Sequence, residues 1–366
     1  MVQILQKKMN NQRNVRKKYP KNLDGEVHML KFAMFDTKPY DEPAFRRYAE
    51  EAGVGIKFYE TRLNADTVSL AEGYDGVIPF VNDVVDAPVI EALHSHGARL
   101  IAMRCAGYNN VDLEAARGRI AVYRVPAYSP HAVAEHAMAM LLTIVRRTHK
   151  AYIRTRDFNF SLNGMVGFDL YGKTIGIVGT GRIGRALIDI CRGFGMKVIA
   201  YDARNASDAS IEYVSLEELF ARSDVISLHC PLTDETDHMI DEHAIRRMKK
   251  GVVLINTSRG ALIDAEALLA GIKDRHIGAA CLDVYEEESD VFFEDFSGHI
   301  LDDDVLARLI SMPNVLITSH QAFLTEEALD GIARTTVQNI SDYFSGRFND
   351  NEVVGGAEQR APVLTR

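Results

Sequence analysis

From Met29 onward the chain alternates short apolar runs with longer stretches whose apolar residues recur at helical spacing. The runs 30–36, 56–59, 76–81, 100–105 and 121–126 read as strands, and 41–52 and 87–96 as helices between them. Strands alternating with helices imply a parallel sheet covered on both faces. Ser129-Pro130 then opens a helix, with Ser at the N-cap and Pro at the first helical position, where its missing N–H costs nothing. Val133, Ala137, Met140, Leu141 and Ile144 form its apolar stripe, which suits either a crossing between domains or a dimer seam. A second βα series follows, with strands expected at 174–179, 197–202, 224–230, 252–257, 279–285 and 315–319. Six parallel strands with intervening helices are what a full dinucleotide-binding domain needs. A last helix spans about 325–344, and a tail containing Gly, Glu and Pro closes the chain. The fold class expected is α/β: two Rossmann-like or flavodoxin-like parallel-sheet domains, one inserted into the other.

A length of 366 residues is too great for one ordinary core and fits two domains. The net charge of −9 supplies no basic field to recruit nucleic acid or an anionic membrane, and neither is expected as a partner. The longest apolar stretch, 132–145, is broken by Glu135 and His136. Cys105, Cys191, Cys230 and Cys281 sit singly in apolar segments, without metal spacing, as expected of reduced thiols in a cytoplasmic protein. Residues 1–28 differ: Lys7, Lys8, Arg13, Arg16, Lys17, Lys18 and Lys21 face only Asp24 and Glu26, with no apolar core of a secretory signal. They read as a disordered extension or as the product of a start upstream of Met29.

The sharpest local pattern is Gly179-Thr180-Gly181-Arg182-Ile183-Gly184, which follows an apolar strand and opens a helix. In that context the first Gly makes the tight turn and the second admits the pyrophosphate. The third lets helix pack on strand, and the helix N-terminus offers free N–H groups to the phosphates. Asp202 closes the next strand, where a carboxylate accepts hydrogen bonds from the adenosine ribose hydroxyls and repels a 2′-phosphate. NAD is therefore favoured over NADP, with Arg204 working the other way.

Three polar residues follow later strands: Arg259 after Val-Val-Leu-Ile-Asn-Thr-Ser, Glu288 after Leu282-Asp283-Val284-Tyr285, and His320 after Val-Leu-Ile-Thr-Ser. Ligands in open α/β sheets bind at the carboxyl ends of the strands. Reducing a 2-keto acid needs such a set. A guanidinium holds the carboxylate and polarises the keto oxygen, a histidine gives the proton, and a carboxylate fixes the imidazole. Singly, each has a plain alternative: a solvated turn for Glu288, a buried satisfied histidine for His320, a surface arginine for Arg259.

The segments 104–112 (Arg-Cys-Ala-Gly-Tyr-Asn-Asn-Val-Asp), 128–130, 179–184, 229–233, 256–264, 283–288 and 319–325, in this order, resemble the D-isomer-specific 2-hydroxyacid dehydrogenase family over about 29–348. The likeness is narrower to its fermentative branch, which acts on pyruvate and D-lactate. The resemblance implies Arg259, Glu288 and His320 as catalytic residues, with His320 as acid/base. It implies that backbone N–H groups of Ala106 and Gly107 bind the substrate carboxylate, and that Phe80, Tyr128 and Phe323 line the pocket. Cys230, Pro231, Thr257 and Ser258 would contact NAD, and Asp283 the nicotinamide amide. Residues 29–127 with 323–366 would form the substrate domain, 128–322 the inserted NAD domain, and hinge closure would join them. The branch implies NAD-dependent reduction of pyruvate to D-lactate, and a homodimer or homotetramer through 130–145 is the expected assembly. Another small 2-keto acid, or an NAD-sensing transcriptional co-repressor, remains the alternative. Thr236-Asp237 and Phe80 depart from residues frequent in the family, and residues 1–28 have no counterpart in its pattern.

Overall fold

The computed structural model describes residues 29–204, 208–288 and 291–356. The basic extension expected at 1–28 lies outside them. The chain divides into two compact units, Met1–Tyr128 with Thr325–Arg366, and Ser129–Leu324.

The first unit begins β1 (Lys31–Met34), α1 (Glu42–Ala52), β2 (Gly55–Phe58), β3 (Gly76–Ile78), α2 (Ala87–Ser95), β4 (Leu100–Ala102), α3 (Leu113–Ala116) and β5 (Ala121–Tyr123). Strands β1, β3, β4 and β5 are almost wholly buried, which is why they read as unbroken apolar runs rather than alternations. Asp86 caps α2 and Asp112 caps α3, each accepting from the backbone N–H three residues on.

The second unit opens with α4 (Pro130–Arg146), whose cap is Ser129: its hydroxyl accepts the Ala132 N–H at 3.2 Å. Ala137, Met140, Leu141 and Ile144 lie buried in one apolar cluster with Ile175, Ile177, Leu187 and Val253 of the same unit. Most of the stripe thus packs against the unit's own sheet. Then come α5 (Thr148–Arg156), β6 (Thr174–Val178), α6 (Arg182–Gly193), β7 (Lys197–Tyr201), β8 (Glu212–Tyr213) and α7 (Leu216–Arg222). They are followed by β9 (Val225–Leu228), α8 (Glu242–Arg247), β10 (Val252–Asn256), α9 (Ala265–Lys273), β11 (Ile277–Leu282), α10 (Asp304–Ser311) and β12 (Val315–Ile317). The chain returns to the first unit with α11 (Glu326–Phe344), capped by Thr325, and β13 (Glu352–Val354).

The first sheet runs β13-β5-β4-β3-β1-β2, parallel except for β13, which pairs antiparallel with β5. The order 2-1-3-4-5 within it is the flavodoxin-like doubly wound arrangement. The second sheet runs β12-β11-β10-β9-β6-β7-β8, all parallel. It contains the six strands expected and adds the short β8. Its order reverses between β6 and β9, and a crevice at such a switch point is where nucleotides bind. Among the described residues no helix is long and apolar enough to cross a membrane.

Candidate active site

The glycine turn sits at that switch point, and each glycine has its own reason. Gly179 adopts φ +94°, and a Cβ there would stand 2.7 Å from the carbonyl carbon of His229 on the loop after β9. A Cβ on Gly184 would come within 2.1 Å of the Gly179 carbonyl oxygen, so only glycine lets α6 seat on β6. A Cβ on Gly181 would meet nothing within 4 Å among the described residues. Open space beside the helix N-terminus is what a pyrophosphate would fill. Gly181 is also the N-cap of α6, and no side chain caps that end. Arg182 is exposed in the first turn and Ile183 half-buried. The uncapped N–H groups and the dipole of a 12-residue helix together make an anion site.

Asp202 follows β7 directly, beside this turn. Its Oδ2 accepts the Thr180 N–H and hydroxyl, both at 2.7 Å, and its Oδ1 accepts the Arg204 N–H at 3.0 Å. One lone pair of Oδ1 stays available for a ribose hydroxyl. Burial raises the Asp202 pKa. The Arg204 and Thr180 N–H groups, the Thr180 hydroxyl and the Arg204 charge outweigh it and leave the pKa below the ordinary aspartate value. Tyr213 donates to the Thr180 hydroxyl at 3.1 Å, so β8, which no pattern predicted, buttresses the same corner.

The far side of the crevice is made by the loops after β9 and β10. The Ser258 hydroxyl donates to the Cys230 carbonyl at 2.6 Å and ties the two loops together. Pro231 stands exposed beside it. Among the described residues the buried Thr257 hydroxyl oxygen has no hydrogen-bond partner. Such a group invites a ligand donor or acceptor, because an unpaired buried hydroxyl is costly. The Gly181 opening, the α6 terminus, Asp202 and Thr257 together fit NAD. His229, one residue before Cys230, bonds Ser227 at 2.8 Å through Nε2, and desolvation pushes its pKa down to about 4.

Arg259 lies in the turn after β10. Asn256 holds that turn at both ends, donating to the Arg259 carbonyl at 2.8 Å and accepting from the Ser258 N–H at 3.0 Å. Gly260 permits it, since a Cβ there would be 2.0 Å from the Tyr285 carbonyl. Among the described residues the Arg259 guanidinium makes one hydrogen bond, to the Ser258 carbonyl at 2.7 Å. His320 and Glu288 are brought together: His320 Nδ1 is 2.7 Å from Glu288 Oε1, and each side chain is 22% exposed. The other Glu288 oxygen accepts the Tyr285 N–H at 2.9 Å. His320 Nε2 has no protein partner among the described hydrogen bonds. The backbone at His320 is left-handed, with φ +51°, a conformation uncommon for any side chain but tolerated by His.

Asp283, which the resemblance implies as the contact of the nicotinamide amide, is 0% exposed. Its Oδ1 accepts the Thr318 hydroxyl at 2.5 Å and the Gln321 N–H at 2.9 Å, and its Oδ2 accepts the Ala322 N–H at 2.8 Å. Its carbonyl accepts the His320 N–H at 2.7 Å. A buried carboxylate needs such donors, and here they build the His320 turn.

In the first unit the expected substrate residues also follow strand ends. Ala106 and Gly107 follow β4; no acceptor for either N–H is found among the described hydrogen bonds, and both are partly exposed. Arg124 donates to the Ala106 carbonyl at 3.1 Å, turning the other edge of that peptide plane away. Phe80 follows β3 and is 4% exposed, with the Arg104 guanidinium 4.0 Å from its ring centre. Asp83 accepts the Phe80 and Leu63 N–H groups at 2.6 Å, and burial pushes its carboxyl up to about 6. Tyr128 is partly exposed where α11 begins to pack, its carbonyl 3.4 Å from a Cβ built on Gly331. Phe323, in the second unit, is largely buried three residues after His320.

A parallel sheet with a glycine turn at its switch point, and a His–Glu pair and an arginine on neighbouring strand ends, defines a nicotinamide-dependent dehydrogenase. The profile of the D-isomer specific 2-hydroxyacid dehydrogenase NAD binding domain matches residues 138–322. The chain belongs to that family of NAD-dependent oxidoreductases. It is 50% identical over 329 residues to a D-lactate dehydrogenase of Escherichia coli K12, covering 89% of this chain and all of that one. The pyruvate reductase of Chlamydomonas reinhardtii superposes with a TM-score of 0.84 at 44% identity, over 88% of this chain and 98% of that one. A D-lactate dehydrogenase of Aquifex aeolicus, solved with NAD and lactic acid, superposes at 0.78 with 33% identity, over 88% of this chain and 99% of that one.

Proposed function

We propose that the chain reduces pyruvate to D-lactate. When bound, NADH supplies the hydride. The Arg259 guanidinium binds the pyruvate carboxylate and polarises the keto oxygen, in a charge-assisted contact its single protein hydrogen bond leaves room for. His320 gives its Nε2 proton to the keto oxygen as the alcohol forms. Glu288 keeps Nδ1 protonated and stabilises the cation before transfer. The 2.7 Å His320–Glu288 contact, with Nε2 left unpartnered, is the observation that carries this reading. The names of the E. coli and Chlamydomonas relatives support pyruvate as the substrate.

The test follows NADH oxidation at fixed pH with pyruvate and a panel of longer 2-keto acids, the product's hand being read with an enantiomer-specific assay. Fast, preferential D-lactate formation is expected. Comparable kcat/KM for large branched 2-keto acids would overturn the choice of pyruvate. NADH binding without turnover would shift weight to a co-repressor.

The protein assembles as a homo-oligomer. The support is a run of exposed apolar side chains after α4: Tyr152, Phe158, Phe160, Leu162, Val166 and Tyr171 are each more than half exposed. Such a run marks an interaction surface. A monomer by light scattering would refute it.

A further inference from the structure

Of the second-unit histidines outside the mechanism, one lies beside the His320 turn. His136 lies on α4, and its Nε2 is 3.1 Å from the Thr318 hydroxyl and 3.3 Å from Asp283 Oδ1. Thr318 in turn donates to Asp283 Oδ1 at 2.5 Å. With the Thr318 proton spent on the carboxylate, its oxygen accepts from His136, which fixes the His136 tautomer with hydrogen on Nε2. Asp283 has no exposed surface, and among the described ion pairs His136 is its one partner. The same carboxylate and its own carbonyl hold Gln321, Ala322 and His320 by their backbone N–H groups. A strained turn, with His320 at φ +51°, persists only where its surroundings over-determine it.

We infer that His136 is a positioning residue for the acid/base histidine: through Thr318 and Asp283 it braces the 318–322 turn and so sets where His320 Nε2 points. The inference rests on the assignment of His320 as proton donor. His136 touches neither substrate nor cofactor in this scheme. Its helix carries the apolar stripe that packs on the sheet, so the imidazole is anchored by the core rather than by a loop. Hydrogen bonding around a buried aspartate and orientation of the turn are then one device.

The experiment is a double-mutant cycle in the full chain. His136→Ala should lower kcat for pyruvate reduction by about tenfold to a hundredfold, the range a displacement near 1 Å produces. NADH affinity, read by fluorescence titration, should stay within about twofold, since the cofactor loops at 179–184 and 257–258 are not braced by this network. His136→Gln, which restores a donor at the Nε2 position, should recover most of the loss. Thr318→Val, which keeps the shape and removes the link, should reproduce it even if the alanine variant folds poorly. In a His320→Ala background the His136→Ala change should cost nothing further, because the two act through one group. Normal kcat in a folded Thr318→Val or His136→Ala variant, or equal losses in both backgrounds, would overturn the inference alone. Full turnover in His320→Ala would overturn the proton-donor assignment, and the inference with it.

Discussion

Gly181 and Gly184 stand three residues apart on one turn, and replacing each with alanine should fail in different ways. At Gly184 the new Cβ would lie 2.1 Å from the Gly179 carbonyl oxygen, more than an ångström inside ordinary contact, with backbone rather than a flexible side chain in the way. Over-packing of that kind costs about 1–3 kcal/mol. For a unit of this size each kcal/mol moves the unfolding midpoint by about 2–4 °C. At Gly181 the new Cβ meets no atom of the described residues within 4 Å and the backbone, at φ −66°, suits alanine. Stability should change by less than about 1 kcal/mol, the cost of a poorer N-cap. The methyl group would instead stand in the space assigned to the pyrophosphate. NADH affinity should fall at least about tenfold, or 1.4 kcal/mol. Thermal melts without cofactor, paired with NADH fluorescence titrations, read both quantities on the same samples. A Gly181→Ala protein that binds NADH within twofold of wild type would refute the placement of the phosphates. So would one that loses binding only because it unfolds.

Arg259→Gln should lower kcat/KM for pyruvate by an amount worth about 2–5 kcal/mol, since a charge-assisted contact is lost; steady-state kinetics near wild type would remove Arg259 from the role. His229 keeps its proton-free form because desolvation pushes its pKa to about 4, below the ordinary value of 6.5. The unfolded chain therefore binds more protons between these values, and stability from this group falls as pH drops through that window, by at most about 3 kcal/mol. His229→Gln should flatten the urea-derived stability between pH 6.5 and 4; an unchanged slope would assign the pH dependence to other groups. Removing residues 1–28 should leave kinetics intact, and a large loss in kcat/KM would show that the extension takes part.

The two sheets were legible because their central strands are buried on both faces and leave continuous apolar runs, as in β6, β9 and β10. What sequence pattern hid has physical causes. Helix α5 buries no side chain, so it carries no apolar stripe to read. Strand β13 is three residues long, and its antiparallel seat on β5 depends on Glu352 meeting Tyr123, 229 positions away. The glycine turn, Asp202 and the His320–Glu288 pair could be read because each follows a strand end. The role of Asp283 could not, because its donors come from a turn 35 and more positions on. His136 and Thr318 are 182 residues apart, and no local spacing announces them. The glycine at 260 was a signal available beside Arg259: a residue without Cβ marks the close approach that aims the guanidinium.

The first unit is built from two stretches of chain, with α11 and β13 supplied after the whole second unit. On the ribosome this order has a consequence. The edge of β5 and the surface that α11 covers must wait while about 200 intervening residues are made, some 10–40 s at about 5–20 residues per second. The second unit is continuous and can complete itself in that interval. Newborn chains therefore carry one finished domain and one open sheet edge, and it is there that a chaperone would first find something to hold.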